Sequence, residues 1–187
     1  MMTKRLVAGA SLALALLVGG AGAADALKSG PQVGKAVEAF EPRNVTGPFA
    51  PENHCLVCWT ASKPGVMILA RRTSDPLTGL IKKIDAANKE QGDKLRSFVV
   101  FLDDEKGLDE KLKELAAKEK LEKTVLAIDN PKDSVSDTVH KEAEVTVILF
   151  VKHEVKVNRA YRKGEFKAEE VEKVLKELPK VLGDETK

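Results

Sequence analysis

Cys55 and Cys58 are the only two cysteines of the 187-residue chain, and they occur together in Pro51-Glu52-Asn53-His54-Cys55-Leu56-Val57-Cys58-Trp59-Thr60. Two sulfurs at this spacing can exchange with the disulfides or thiols of a partner, one member attacking and the other resolving the mixed disulfide. They can also form a structural disulfide, which would close a very small loop and restrict the unfolded chain little. A third use is soft-metal ligation by Cys55, Cys58 and His54, with His140 or His153 completing the set, although adjacent His54 and Cys55 can share one ion only in an irregular loop. The fourth is two reduced, unconnected core thiols. Haem attachment is excluded, because it needs a histidine after the second cysteine and the residue here is Trp59. Trp59 itself reads as a packing residue at a sheet edge.

Local geometry bears on the choice. Residues three apart are neighbours on a helical turn but point to opposite faces of a strand. Leu56, Val57 and Trp59 favour a strand, while Asn53 and the preceding prolines favour a turn, so a closed pair requires a bend at Leu56-Val57. In an exchange reaction the more exposed cysteine attacks. Cys58 is assigned that role if a helix starts just after it, and Cys55 otherwise.

Other residue groups carry less chemistry. Ser136 and His140, with Asp137 beside them, would share a helix face, but one helical turn cannot orient the base of a hydrolytic triad. Asp103-Asp104-Glu105 is a charged loop after a strand and lacks the spaced ligands of a cation loop. Asn44-Val45-Thr46 fits a glycosylation sequon.

The N-terminus reads as a secretory signal. Lys4 and Arg5 precede an apolar run from Leu6 to Val18 and the small-residue stretch Gly19 to Ala24, with Ala21-Gly22-Ala23 as cleavage site. The apolar run is short for a membrane span. No cysteine follows the cut to carry a lipid anchor. The expected divisions are a signal peptide at 1–23, a flexible segment at 24–36, one domain at 37–182 and a polar tail at 183–187.

The whole chain has 31 basic and 29 acidic residues. The leader removes two basic residues and no acid, so the mature protein is near neutral. That argues against nucleic-acid or anionic-membrane binding, and export to the periplasm or beyond lets a disulfide persist. No resident cofactor is implied, and nothing in the composition sets an oligomeric state.

The elements that must position the cysteines follow from periodicity. The segment from Ala24 to Pro64 is rich in turn residues, with one short strand expected at Val37 to Pro42. Val66 to Ala70 is an unbroken apolar run, as in a strand covered on both faces. A helix should follow, capped by Asp75 with Pro76 in its first turn, and Leu77, Leu80, Ile81 and Ile84 on its apolar face. Further strands are expected at Ser97 to Leu102 and Thr124 to Ile128, the latter ended by Asp129-Asn130-Pro131. Between them lies a helix carrying Leu108, Leu112, Leu115 and Ala116. A short helix at Ser134 to Ala143, a hairpin of Val145 to Val151 with Val155 to Tyr161, and a last helix through Val171, Val174, Leu175 and Leu178 complete the chain. The result is an α/β sandwich with a mixed sheet and helices on both faces.

This order resembles the thioredoxin-like superfamily, and the added strand and helix in "TVLAIDNPKDSVSDTVHKEAEV" resemble its peroxiredoxin-like branch. The likeness runs from about Val37 to Leu178. It implies a three-layer α/β/α thioredoxin-like fold with an N-terminal extension, and protein thiols or disulfides as partners. In thioredoxins the redox motif follows the first central strand and opens the next helix, a place matched here by Arg71-Arg72-Thr73-Ser74-Asp75-Pro76-Leu77. No cysteine stands there. Peroxiredoxins carry Thr-x-x-Cys at this point; Thr73 matches the threonine, and Pro76 takes the place of the peroxidatic cysteine. The proline that faces the redox pair in thioredoxins is matched by Val145, followed by Thr146. The resemblance thus implies a degenerate family site around Thr73, Pro76, Val145 and Thr146, with the cysteine pair displaced upstream. A loop crossing the end of the sheet would bring the pair beside Thr73. The alternative to exchange is a non-catalytic binding module on this degenerate scaffold, with the cysteines as a structural disulfide or metal ligands.

Overall fold

The computed structural model describes residues 27–183 except Asp104, Pro131 and Asp133. The signal peptide expected at 1–23, the beginning of the following segment, the last four residues of the tail and one member each of the Asp103–Glu105 and Asp129–Pro131 motifs lie outside the described residues.

The strands are β1 (Arg43–Asn44), β2 (Gly65–Ala70), β3 (Arg96–Phe101), β4 (Thr124–Ile128), β5 (Ala143–Val151) and β6 (Glu154–Arg162). They form one sheet in the order β1-β4-β3-β2-β5-β6. β2, β3 and β4 are parallel, whereas β1 against β4, β5 against β2 and β6 against β5 are antiparallel. The three parallel strands are buried along almost their whole length, as their continuous apolar runs require.

Among the described residues, five helices accompany the sheet: α1 (Leu56–Thr60), α2 (Asp75–Glu90), α3 (Leu108–Glu119), α4 (Ala168–Leu175) and α5 (Pro179–Leu182). α2 and α3 are the crossovers from β2 to β3 and from β3 to β4. Successive right-handed crossovers in one direction fall on one face of a sheet. The apolar residues of α2 and α3 accordingly share a core with those of α4 and α5, including Leu77, Leu80, Ile84, Leu112, Val171, Val174 and Val181.

The opposite face has a different cover. There Met67, Leu69, Phe98, Val100, Ile148 and Phe150 pack under Leu56 and Val57 of α1, and under Val37, Phe40, Val135 and Val139 from irregular chain. The sheet thus lies between a thick helical layer and a thinner layer made of one short helix and loops.

Beyond shifts of one or two residues at strand ends, four features differ from expectation. The strand expected at Val37–Pro42 is absent, and the pairing moves on to Arg43 and Asn44. Asn44 is poorly suited to a strand by type. Its buried amide holds it there by donating to the carbonyls of Pro42, Glu52 and His54 at 3.3, 2.9 and 3.4 Å.

The α2 cap is Ser74 rather than Asp75; its Oγ accepts the Leu77 N–H at 3.4 Å. The helix expected from Ser134 to Ala143 is only a 3₁₀ turn at Ser136–Thr138. Asp129 accepts the Ser134 hydroxyl and the Val135 N–H, and these local bonds compete with helical ones. The last helix is split into α4 and α5, because Pro179 has no N–H to give the carbonyl of Leu175.

The hairpin between β5 and β6 turns through Lys152 and His153, both at positive φ, as a two-residue turn of matching twist requires. Residues 27–37 run beside this hairpin. Gly34 N–H donates to Val155 O, and Val37 N–H to His153 O. Asn158 donates to the carbonyls of Ser29 and Pro31, both at 2.8 Å.

Candidate functional site

The chain reaches the cysteines by a return path beside β1. Asn44 N–H donates to Glu52 O at 3.0 Å and His54 N–H to Pro42 O at 3.2 Å, which folds residues 45–53 into a loop. The Asn44 side chain, fully buried, ties both arms of that loop together. The sequon Asn44-Val45-Thr46 therefore presents no asparagine to solvent in the folded chain.

Cys55 follows at the start of α1 as its cap residue, with extended φ and ψ. The helix is short because Ala61 leaves helical geometry at φ 51° while its N–H returns to Cys58 O at 3.0 Å. The Thr60 hydroxyl also turns inward, donating to Val57 O at 2.6 Å.

The single turn brings the cysteines together, and they form a disulfide with Cα atoms 5.2 Å apart. The bend required at Leu56-Val57 is supplied by the helix. Cys55 is 9% exposed and packs in the loop-side core with Leu56 and Val57, whereas Cys58 is exposed. Cys58 N–H donates to Cys55 Sγ at 3.0 Å.

An aromatic group surrounds the turn. The His54 ring stacks on Phe49 with centroids 3.6 Å apart, and Trp59 meets Phe49 edge-on at 6.0 Å. The Arg96 guanidinium lies over the Trp59 ring, its Cζ 4.7 Å from the centroid. Trp59 is therefore partly covered and packed, as its type suggested. Phe49 and Arg96 were not marked by spacing, and only an aromatic count along the loop would have drawn attention to Phe49.

The residues matched to the family position gather elsewhere. Pro76 is in the first turn of α2, Val145 pairs with Ala70 at the carboxyl end of β2, and Arg71 N–H donates to Glu144 O beside it. Thr146 is buried and shares a hydrogen bond of 2.8 Å with the Ser29 hydroxyl. Thr73 lines a cavity of about 350 Å³ with Arg71, Arg72, Asp103 and Lys111, and neither cysteine borders it. Arg96, the neighbour of Trp59, begins β3, so the contact of α1 with it lies at the amino ends of β2 and β3. Thr73 lies beyond the other end of β2, whose six residues span about 17 Å. The loop carrying the cysteines crosses the face of the sheet; it does not carry the pair into the Thr73 cavity.

The remaining candidates also separate. His140 accepts the Glu142 N–H, while its own N–H reaches Ser29; Ser136 bonds to Ser134. They do not converge into a triad. His153 occupies the β5–β6 turn. Among the described residues, no three His, Cys, Asp or Glu side chains are placed to hold a metal. No described helix is long and apolar enough to cross a membrane.

No protein-family model matches the chain, and no curated protein matches it in sequence. Solved structures do resemble it. A putative thiol:disulfide interchange protein DsbE from Chlorobium tepidum superposes with a TM-score of 0.58 at 14% identity, over 82% of this chain and 99% of that one. A putative protein disulfide isomerase from Bacteroides thetaiotaomicron gives 0.60 at 12% identity, over 83% and 94%. A peroxiredoxin-like protein from Aquifex aeolicus gives 0.54 at 14% identity, over 83% and 90%. With its mixed six-stranded sheet and flanking helices, the chain has the thioredoxin-like α/β fold.

Proposed function

We propose that the protein is an exported thiol-disulfide exchange protein acting on the thiols or disulfides of other proteins through Cys55 and Cys58. The observation that carries this reading is a closed two-sulfur turn with one cysteine open to solvent. A partner sulfur can reach an exposed disulfide, and an exposed disulfide is the labile kind. The resemblance to interchange proteins supports the same chemistry on this scaffold. In this reading the leader at 1–23 is removed on export to the periplasm or the exterior, and the domain spans 37–182. The place used by relatives, around Thr73 and Pro76, has lost its cysteine, and the work has moved to α1.

A second reading is favoured by the burial of Cys55 in the loop-side core. There the disulfide is a staple in a binding module that has lost its catalysis.

Equilibration in graded thiol buffers separates the two. A reduction potential between about −120 and −270 mV fits exchange, while one below about −300 mV fits a staple. Turnover of a protein disulfide with a supplied reductant should disappear when both cysteines become serine. Equal activity of the native protein and the double variant would refute exchange.

A further inference from the structure

We infer that the two sulfurs have fixed and unequal roles: Cys58 is the sulfur a partner attacks, and Cys55 is the one that leaves. This rests on the exchange reading and adds its direction and its entry point. Position along the chain would favour Cys55, since a helix begins directly after it and none begins after Cys58. Access and hydrogen bonding favour the opposite assignment. Cys58 is exposed, whereas Cys55 is 9% exposed among apolar neighbours. An attacking thiolate must approach in line with the bond it breaks, so it needs an open path to the sulfur it joins.

The departing sulfur needs something different. It carries the negative charge released when the bond breaks, and a hydrogen bond to the charged form stabilises it. The Cys58 N–H, 3.0 Å from Cys55 Sγ, is already aimed at the sulfur that leaves. The attacked residue thus supplies, through its own backbone, the donor that receives its partner's charge.

The substrate class for the oxidised protein is a dithiol on an accessible segment of another protein. One partner thiolate attacks Cys58 Sγ, forming a mixed disulfide as the Cys58–Cys55 bond breaks and Cys55 leaves as a thiolate. The second partner thiolate then attacks the partner's sulfur in that mixed disulfide and expels Cys58. The partner loses two protons and two electrons and gains a disulfide, and this protein ends with both thiols reduced.

The test uses glutathione as the probe. Oxidised, unmutated protein is exposed briefly to a limiting amount, acid-quenched and peptide-mapped. The expected adduct is on Cys58, at about tenfold or more over Cys55, the preference following from unequal access. In denaturant the preference should vanish. In parallel, reduced Cys55→Ser should form a mixed disulfide with oxidised glutathione about tenfold faster than reduced Cys58→Ser.

An adduct mainly on Cys55, equal labelling, or no native adduct where the unfolded chain reacts would overturn the assignment. The mapping uses the native sequence, so it stands even if a serine variant fails to fold. Labelling of Cys58 without turnover of any protein disulfide would keep the polarity and remove the exchange function.

Discussion

The two faces of the sheet are covered in different ways. On one side, α2, α3, α4 and α5 lay apolar stripes against β2 to β5, and their outer faces carry ion pairs such as Lys82–Glu119 and Lys83–Glu172. On the other, one five-residue helix and irregular chain do the covering, and side chains supply what regular backbone bonding does not. Asn44 clamps three carbonyls, Asp129 holds the Ser134 turn, and Ser29 links Thr146 to His140. The helical layer is an extended packing surface. The loop layer depends on single polar groups, and it is the layer that carries the disulfide.

The sharpest way to break this contrast is to make the same truncation on each side. Leu80→Ala in α2 and Leu56→Ala in α1 both remove a fully buried side chain. Leu80→Ala should cost about 2–5 kcal/mol in urea unfolding, and Leu56→Ala the lower part of that range, because short elements can close on the gap. An equal or larger loss at Leu56 would show that the loop layer is as stiff as the helical one.

Asn44→Ala should cost about 1–3 kcal/mol by removing the amide's hydrogen bonds to the carbonyls of Pro42, Glu52 and His54. Its mark should be local, with faster amide exchange at Asn53 to Trp59 than in α2. Uniform acceleration throughout the chain would deny the loop layer any independence. Gly65→Ala probes the same layer from the sheet: an added Cβ would overlap the Phe150 ring, and a loss of about 1–3 kcal/mol by thermal or urea melting is expected.

The smallest expected effect belongs to the helical side and varies with pH. Burial pushes the Asp85 carboxyl up, but the N–H groups of Thr124, Lys123 and Glu122 and the Lys89 ammonium outweigh it and hold the carboxyl below its ordinary value. Its contribution is therefore complete above the ordinary aspartate range, near 3.9, and is lost as pH falls through the lower folded value. The stability difference between the native protein and Asp85→Asn should narrow across that acid interval. A difference that stays constant would mean Asp85 acts only through packing.

This contrast also separates what was legible in the sequence from what was not. Leu77, Leu80, Ile81 and Ile84 announce α2 because a helix repeats its buried face, and the apolar runs announce β2, β3 and β4 because both sides of each are covered. The thioredoxin-like fold follows from those elements. Loops have no period to read. The pairing of Arg43 and Asn44, and the missing helix after Ser134, depend on single side chains bonding to distant or local backbone.

The candidate site shares that limit. The spacing of Cys55 and Cys58 showed that they could join, and the structure joins them. Which one faces solvent depends on how α1 lies on the sheet, and Leu56, Val57 and Trp59 argued locally for a strand. The separation from Thr73 was equally hidden, since nothing in the sequence says whether a loop crosses the end of a sheet or its face.

Trp59 is the sole tryptophan of the chain and stands next to Cys58 in sequence, its indole held between Phe49 and Arg96. Disulfides quench nearby indole emission, and thiols do so less. The protein consequently carries its own optical gauge: its fluorescence should brighten as the pair opens, reporting the state of the sulfurs in real time without a label or a coupled enzyme.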